Sequence, residues 1–323
     1  MASRDRILAV VIALLWGMNF VAIDITLGHF PPLLAAALRF TLIAIPVVLF
    51  VPPPRVPLRW LLGYGLGTGT CQFAFLFVGM ELGMPAGLAS LVLQASAPFT
   101  VLLGAFLLAE PVRPVAALGV VIAAAGMALI GWQRSEHAAL LPMALTLLGA
   151  LSWAAGNLCV RKARPDSALR FTVWMAVVPP LPLLTLSLLT EGPGTAWRAV
   201  STINSAQGWA ALAGLAYVAL FGSVIAAALW AVLMGRNPAG TVAPFSMLVP
   251  VVGMSAAFVL LGERPTVVEL FAALLVIGGV LLGSRPARGG ADAARSEPHA
   301  GGGVPAATSA ERDRSSPARI SSA

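Results

Sequence analysis

Hydrophobic residues run along this chain in long blocks, separated by short gaps of polar and turn-forming residues. Ten blocks stand out, at 7–28, 32–51, 60–80, 86–109, 114–132, 140–160, 168–190, 209–233, 239–261 and 266–284. A bilayer-spanning helix needs about 20 mostly apolar residues, and each block is near that length. The period-two alternation of a membrane barrel strand is absent. Backbone polar groups in lipid must be satisfied within their own segment, so the blocks are predicted to be helices. The gaps carry turn chemistry: His29-Phe30-Pro31-Pro32, Pro52-Pro53-Pro54, Gly83-Met84-Pro85 and Asn237-Pro238. The longest gap, 191–208, holds Gly192, Pro193, Gly194 and Asn204. Links this short make neighbouring helices antiparallel.

Composition identifies the solvent. Apolar residues make up 59% of the chain, charged residues 10%, and mean hydropathy is +0.90. A soluble domain carries roughly a quarter charged residues and covers its surface with them. This chain has too few, so lipid must cover part of it. The net charge of +7 does not mark a nucleic-acid binder, because the basic residues form no patch and sit in the gaps and the tail. They report topology instead. With the N-terminus in the cytoplasm, the inner side collects Arg4, Arg6, Arg55, Arg59, Arg113, Arg161, Lys162, Arg164, Arg170, Arg236 and the tail arginines. The outer side collects Arg134, Arg198 and Arg264. Positive charge favours the inner face, so both termini are predicted to be cytoplasmic. The first block holds Asp24 and lacks a small-residue cleavage site, so it reads as a membrane helix rather than a leader. Residues 285–323 are rich in Gly, Ala, Ser and Pro and read as a disordered cytoplasmic tail.

An internal repeat organises the rest. Pro85-Ala86-Gly87 recurs 153 positions later as Pro238-Ala239-Gly240, and at that offset Glu110 matches Glu263 and Gly126 matches Gly279. Trp16 corresponds to Trp153, which aligns Asp24 with Arg161. Ala37-Leu38-Arg39-Phe40-Thr41 reappears as residues 168–172. The expected fold class is therefore an all-α integral membrane protein of ten transmembrane helices, in two five-helix repeats at 1–136 and 137–284. Five is odd, so the second copy enters the membrane inverted, as in secondary transporters that work by alternating access.

Polar groups inside a span are costly and mark cavities or partners. Trp16, Asn19 and Asp24 share one face of the first helix; Trp153, Asn157 and Arg161 share one face of the sixth. Both stripes are expected to face a central cavity, with plain helix packing as the alternative for the asparagines. Asp24 and Arg39 sit at similar depth in a hairpin, roughly 6–11 Å below its outer end. An Asp24–Arg39 pair would form an outer gate or simply neutralise a snorkelling arginine; an unpaired Asp24 would be a proton carrier. Gln72 and Gln94 lie mid-span. Pro98 strips the Gln94 carbonyl of its helical donor, and Pro250 does the same to Ser246. Gly63/Gly67 and Gly65/Gly69 form small-xxx-small pairs for close helix packing rather than a nucleotide loop. Glu110 and Glu263, at helix ends, suggest capping or contact between repeats. Cys71 and Cys159 lack metal spacing, and His29, His137 and His299 form no cluster, so no metal or other cofactor is expected. No nucleophile–base pair or Walker motif points to an enzyme or to ATP drive.

Several motifs carry a resemblance: Leu15-Trp16-Gly17-Met18-Asn19-Phe20, Leu38-Arg39-Phe40, the stretch 83–94, Leu248-Val249-Pro250 and Leu261-Gly262-Glu263-Arg264. Over residues 3–284 the chain resembles EamA-type permeases of the drug/metabolite transporter superfamily, and within it the O-acetylserine/cysteine exporters. The resemblance implies efflux of a small metabolite, an amino acid or cysteine-pathway compound, from a bacterial inner membrane. It implies secondary transport with protons as a coupling ion or facilitated efflux, by a monomer or homodimer. Asp24 stands where a lysine is expected in the cysteine exporters, which bears on how a charged substrate is read. The competing readings are efflux of drugs or another metabolite class, and a membrane scaffold that transports nothing.

Overall fold

A computed structural model describes residues 1–135, 140–237 and 239–283, and among these every regular element is helical. Among the described residues, nine helices are long and apolar enough to cross a bilayer: α1 (Ser3–Leu27), α2 (Pro32–Phe50), α3 (Leu58–Glu81), α4 (Ala86–Leu108), α5 (Pro114–Ser135), α6 (Leu140–Ala163), α7 (Ala168–Thr190), α8 (Ala206–Arg236) and α9 (Pro244–Leu261). A shorter apolar helix, α10 (Val267–Gly283), has 17 residues. A further short helix, Pro193–Ser201, occupies the longest predicted gap. Large apolar side chains such as Phe50, Phe106, Leu189 and Val267 are exposed on the body of the protein, as a surface facing lipid requires. The chain is a multi-pass membrane protein whose regular elements, among the described residues, are all helices. Pro238, His137, His299, the 136/137 boundary and the predicted tail at 285–323 lie outside the described residues.

Three of the breaks in helical regularity follow directly from local sequence. In α3 the glycine-rich stretch Gly65–Cys71 widens into π-helical turns; in α8 the stretch Leu220–Ile225 does the same. In both, a hydroxyl donates five residues back: Thr70 Oγ1 to the Gly65 carbonyl and Ser223 Oγ to the Val218 carbonyl, at 3.4 and 2.7 Å. These two bonds are related by the 153-residue offset, as are Gly69 and Gly222. Insertions of this kind are common at functional sites. The third break is in α7, where Pro179-Pro180 separates Ala168–Met175 from Pro180–Thr190 by withdrawing backbone donors.

Small residues set how the helices meet. A Cβ placed on Gly119 of α5 would lie 2.5 Å from the Gly279 carbonyl oxygen of α10; one placed on Gly126 would lie 2.9 Å from the Ala272 carbonyl oxygen. Contact position therefore rises along α5 while it falls along α10, so the two helices are antiparallel. Adding 153 turns 119 into 272 and 126 into 279, so one contact becomes the other. The remaining packing shows the same exchange. Helix α1 packs on α8 and α9, and α6 packs on α3 and α4. Gly17 of α1 closes on Val252 and Gly253 of α9, while Gly156 of α6 closes on Thr68 of α3. The core between them is lined by Phe30, Phe77, Phe171, Leu76 and Ile23, all fully buried.

Candidate functional site

The most unusual buried group is Arg39. It stands midway along α2, a helix otherwise built of apolar residues and one threonine, and only 4% of it is exposed. Its guanidinium lies 3.8 Å from the Phe73 ring centroid and 5.1 Å from that of Phe40. Ring quadrupoles favour a cation there. Its Nε and Nη2 donate to Ser223 Oγ at 3.3 and 2.8 Å. Ser223 Oγ spends its own proton on the Val218 carbonyl, so its lone pairs are free to accept. The remaining nitrogen, Nη1, is buried with no hydrogen-bond partner. A buried guanidinium with one nitrogen's donors unused is disfavoured until an acceptor arrives.

Other unsatisfied atoms come from the helices around it. Asn19 is 8% exposed and its Oδ1 lacks a partner; it presses on Gly222, the residue before Ser223, where any side chain would collide with it. Gln72, next to Phe73, buries an unpartnered Oε1, and Thr68 Oγ1 in the α3 π-turn is likewise unpaired. Trp16, one turn from Asn19, meets Trp230 of α8 with centroids 5.2 Å apart. Thus Asn19 and Arg39 converge on the π-turn of α8, Trp16 meets the same helix farther along, and Gln72 neighbours Phe73 in sequence.

The other predicted residues lie elsewhere, on α4 and α6. Gln94 Nε2 donates to the Ser246 carbonyl at 3.4 Å and approaches Met247 Sδ at 3.7 Å. Asn157 Nδ2 donates to Thr100 Oγ1 at 3.3 Å, and Trp153, half-buried, packs against the core one turn away. Asp24 does not join either group. It is exposed at the end of α1, in the electrostatic neighbourhood of Glu81. The considered Asp24–Arg39 pair is absent among the described residues: Arg39 turns inward to Ser223 and Phe73, and Asp24 turns outward.

Carboxylates at helix ends make the remaining polar ties. Glu191 accepts from the Leu33 and Leu34 amides at the start of α2, at 2.6 and 3.1 Å, and from Ser187 Oγ. Glu263 accepts from the Ala86 and Gly87 amides at the start of α4, at 2.7 and 3.0 Å. Both supply acceptors to amides that a helix leaves open, next to the positive end of its dipole. His29 Nε2 meets the Ala199 carbonyl at 2.8 Å, and Gln207 donates to the Gly28 carbonyl. Cys71 and Cys159 are free thiols, and among the described residues no three His, Cys, Asp or Glu side chains group as metal ligands do.

Sequence reasoning did not single out Ser223, Phe73 or Glu191. Ser223 had a usable signal, since it is the 153-residue counterpart of Thr70 in the other glycine-containing turn. Glu191 had a weaker one, a lone acid at the end of an apolar block.

The comparisons agree with this architecture. The sequence profile of the EamA-like transporter family matches the chain twice, at residues 6–132 and 140–285. A probable amino-acid metabolite efflux pump of Salmonella typhimurium is 42% identical over 288 residues, covering 87% of this chain and 95% of the relative. Its Escherichia coli namesake is 39% identical over the same shares. A probable terminal-alkyne amino-acid exporter of Streptantibioticus cattleyicolor is 28% identical, covering 84% and 90%. One solved crystal structure superposes with a TM-score of 0.58 at 22% identity, over 88% of this chain and 98% of its own, and so shares the fold. With its profile matched across both halves and close relatives matched nearly end to end, this chain belongs to the EamA-like transporter family, a family of transporters and not of enzymes.

Proposed function

We propose that this protein exports a small amino-acid-type metabolite across a bacterial inner membrane by alternating access. The observation that carries the reading is Arg39: a cation buried within the membrane-spanning body, with one nitrogen unsatisfied. Its fork geometry suits a carboxylate, which would accept from Nη1 while Ser223 holds the other edge. Asn19, Gln72 and the Trp16 ring supply polar and apolar contacts for the rest of the molecule, with Gln94, Trp153 and Asn157 along the route. Relatives bearing amino-acid efflux names support the same substrate class.

Two inverted five-helix repeats, 1–136 and 137–284, supply the machinery, with α10 as the tenth span. The antiparallel α5–α10 seam, which maps onto itself under the 153-residue offset, supports this arrangement. Halves related in this way can trade conformations and open a shared site to each side in turn. The excess of basic residues in alternate gaps places both termini in the cytoplasm. Protons are the coupling ion, with Asp24 as the exposed acid in the pathway, and the working unit is a monomer or homodimer.

The test is a competition screen in proteoliposomes. Labelled cysteine, O-acetylserine or another amino acid is expected to be carried and to be displaced by other carboxylate-bearing metabolites. Transport that only carboxylate-free cationic drugs inhibit would overturn the amino-acid reading, and no transport of any solute would favour a scaffold.

A further inference from the structure

The two ends of the repeat unit share a backbone device but differ in what their carboxylates hold. Helix α4 ends at Ala109, whose backbone is left-handed (φ 52°), and the Glu110 amide returns to the Gly104 carbonyl at 3.3 Å. Helix α9 ends at Gly262 (φ 71°), and the Glu263 amide returns to the Ala257 carbonyl at 3.2 Å. Every member of the first set lies 153 positions before its counterpart in the second. Such closures are ordinary helix stops. The side chains then diverge. Glu263 closes on the Ala86 and Gly87 amides that open α4. Its counterpart Glu110 lies beside Gly104, both oxygens against Arg161 Nη2 of α6 at 2.6 and 2.7 Å. The amides equivalent to Ala86 and Gly87 are those of Ala239 and Gly240, at the start of the turn Ala239–Val242.

Arg161 accounts for the asymmetry. It is the counterpart of Asp24 in the first helix of the other repeat. A cation there competes with a helix terminus for Glu110, whereas an anion stands at the matching place in the first helix. One end is thus capped, while at the other the capping acid is held aside.

We propose that Glu263 and Glu110 are reciprocal gate latches of the transport cycle. In the state described here Glu263 clamps α9 to α4 and keeps its side shut. In the opposite state Glu263 releases Ala86 and Gly87, while Glu110 leaves Arg161 and caps Ala239 and Gly240. Arg161 is a positioning residue that sets the balance between the two. This rests on the alternating-access reading above.

The test is side-specific labelling of Ser90→Cys in the full chain with Cys71 and Cys159 replaced by serine. Ser90 is 1% exposed, one turn below the Glu263 cap and against Gly253. A membrane-impermeant thiol reagent added from the Glu263 side reads opening there. Glu263→Gln is expected to raise the labelling rate about tenfold, the scale of one lost charge-assisted contact. Arg161→Gln also raises it, because Glu110 is freed to shut the far side. Glu110→Gln lowers it, because the far side can no longer latch, and the double variant follows Glu110→Gln. A merely structural ion pair would give the two single variants shifts of the same sign. Same-signed shifts, or an unchanged rate in Glu263→Gln, overturn the latch. Opposite-signed shifts without export of any amino acid would retain the latch and remove the substrate reading; export with unshifted labelling removes the latch alone.

Discussion

Gln94 Nε2 donates to the Ser246 carbonyl, and each of these residues stands four places before a proline of its own repeat. Pro250 has no N–H, so the Ser246 carbonyl is without its helical donor, and the side chain from the other half supplies one. Residues 94 and 246 are also repeat counterparts through Pro98 and Pro250. In the proposed inverted-repeat arrangement, a residue that touches its own counterpart lies on the axis relating the halves. Both segments tighten into 3₁₀ turns at this place, Leu93–Ala95 and Ala243–Met247.

Gln94→Leu is therefore expected to slow export by about five- to tenfold, the scale of one lost hydrogen bond between the two segments. Membrane abundance should hold, since the helices themselves do not depend on this bond. Initial export rates at matched abundance measure the effect. A rate equal to wild type would mean that the freed carbonyl finds another donor and that the contact does not govern the cycle.

Arg39 and Ser223 separate charge from geometry. Arg39→Lys keeps the charge but loses the planar fork, so it cannot reach Ser223 and a carboxylate together or stack as well on Phe73. Export at low substrate should fall about tenfold or more, mostly through a raised KM. Ser223→Ala removes a neutral acceptor and should cost only about threefold. Equal losses in kcat with unchanged KM would place Arg39 outside the binding site.

The α5–α10 seam predicts a contrast between adjacent glycines. A Cβ on Gly279 would lie 2.6 Å from the Gly119 carbonyl oxygen and the Ala123 amide, whereas one on Gly278 meets nothing within 4 Å. Gly279→Ala should lower stability by about 1–3 kcal/mol through overpacking, and Gly278→Ala should leave it unchanged or slightly improve it. Thermal unfolding of purified protein in detergent reads both. Equal midpoints would show that the seam relaxes freely.

Asp24 is exposed and near Glu81, with Arg39 engaged elsewhere. With protons as coupling ion, Asp24→Asn should flatten the dependence of export on external pH while leaving downhill counterflow intact. Export rates across a pH series decide it; an unchanged profile assigns the coupling to another acid.

Some of this was legible in the residues and some was not. The helical blocks and the Pro-Ala-Gly to Glu repeat were visible because lipid enforces length and a duplicated turn leaves a spaced motif. Arg39 was visible because a charge in an apolar run costs energy that must be repaid. Its partner was not. Ser223 is 184 residues away and is brought to Arg39 only by packing of α2 on α8. The considered Asp24–Arg39 pair rested on rise per residue, which fixes depth along a helix but not the direction a side chain faces. Thr70 and Ser223 show the remedy, since the repeat offset predicts their matching bonds to Gly65 and Val218 without any coordinates.

The inverted arrangement itself is open to a direct measurement. Leu82 is exposed in the gap between α3 and α4, and Gly235 lies near the end of α8, where an added Cβ meets nothing within 4 Å. Single cysteines at these positions, with Cys71 and Cys159 replaced, should therefore fold normally. Five spans separate the turn before α4 from the turn before α9, so the two cysteines belong on opposite faces of the membrane. An impermeant thiol reagent added to intact cells should modify Leu82→Cys and spare Gly235→Cys, and inside-out vesicles should show the reverse. Modification of both from one face would place the two turns on the same side. The 153-residue match would then be a parallel duplication, and the antiparallel contact of α5 with α10 would need a different origin.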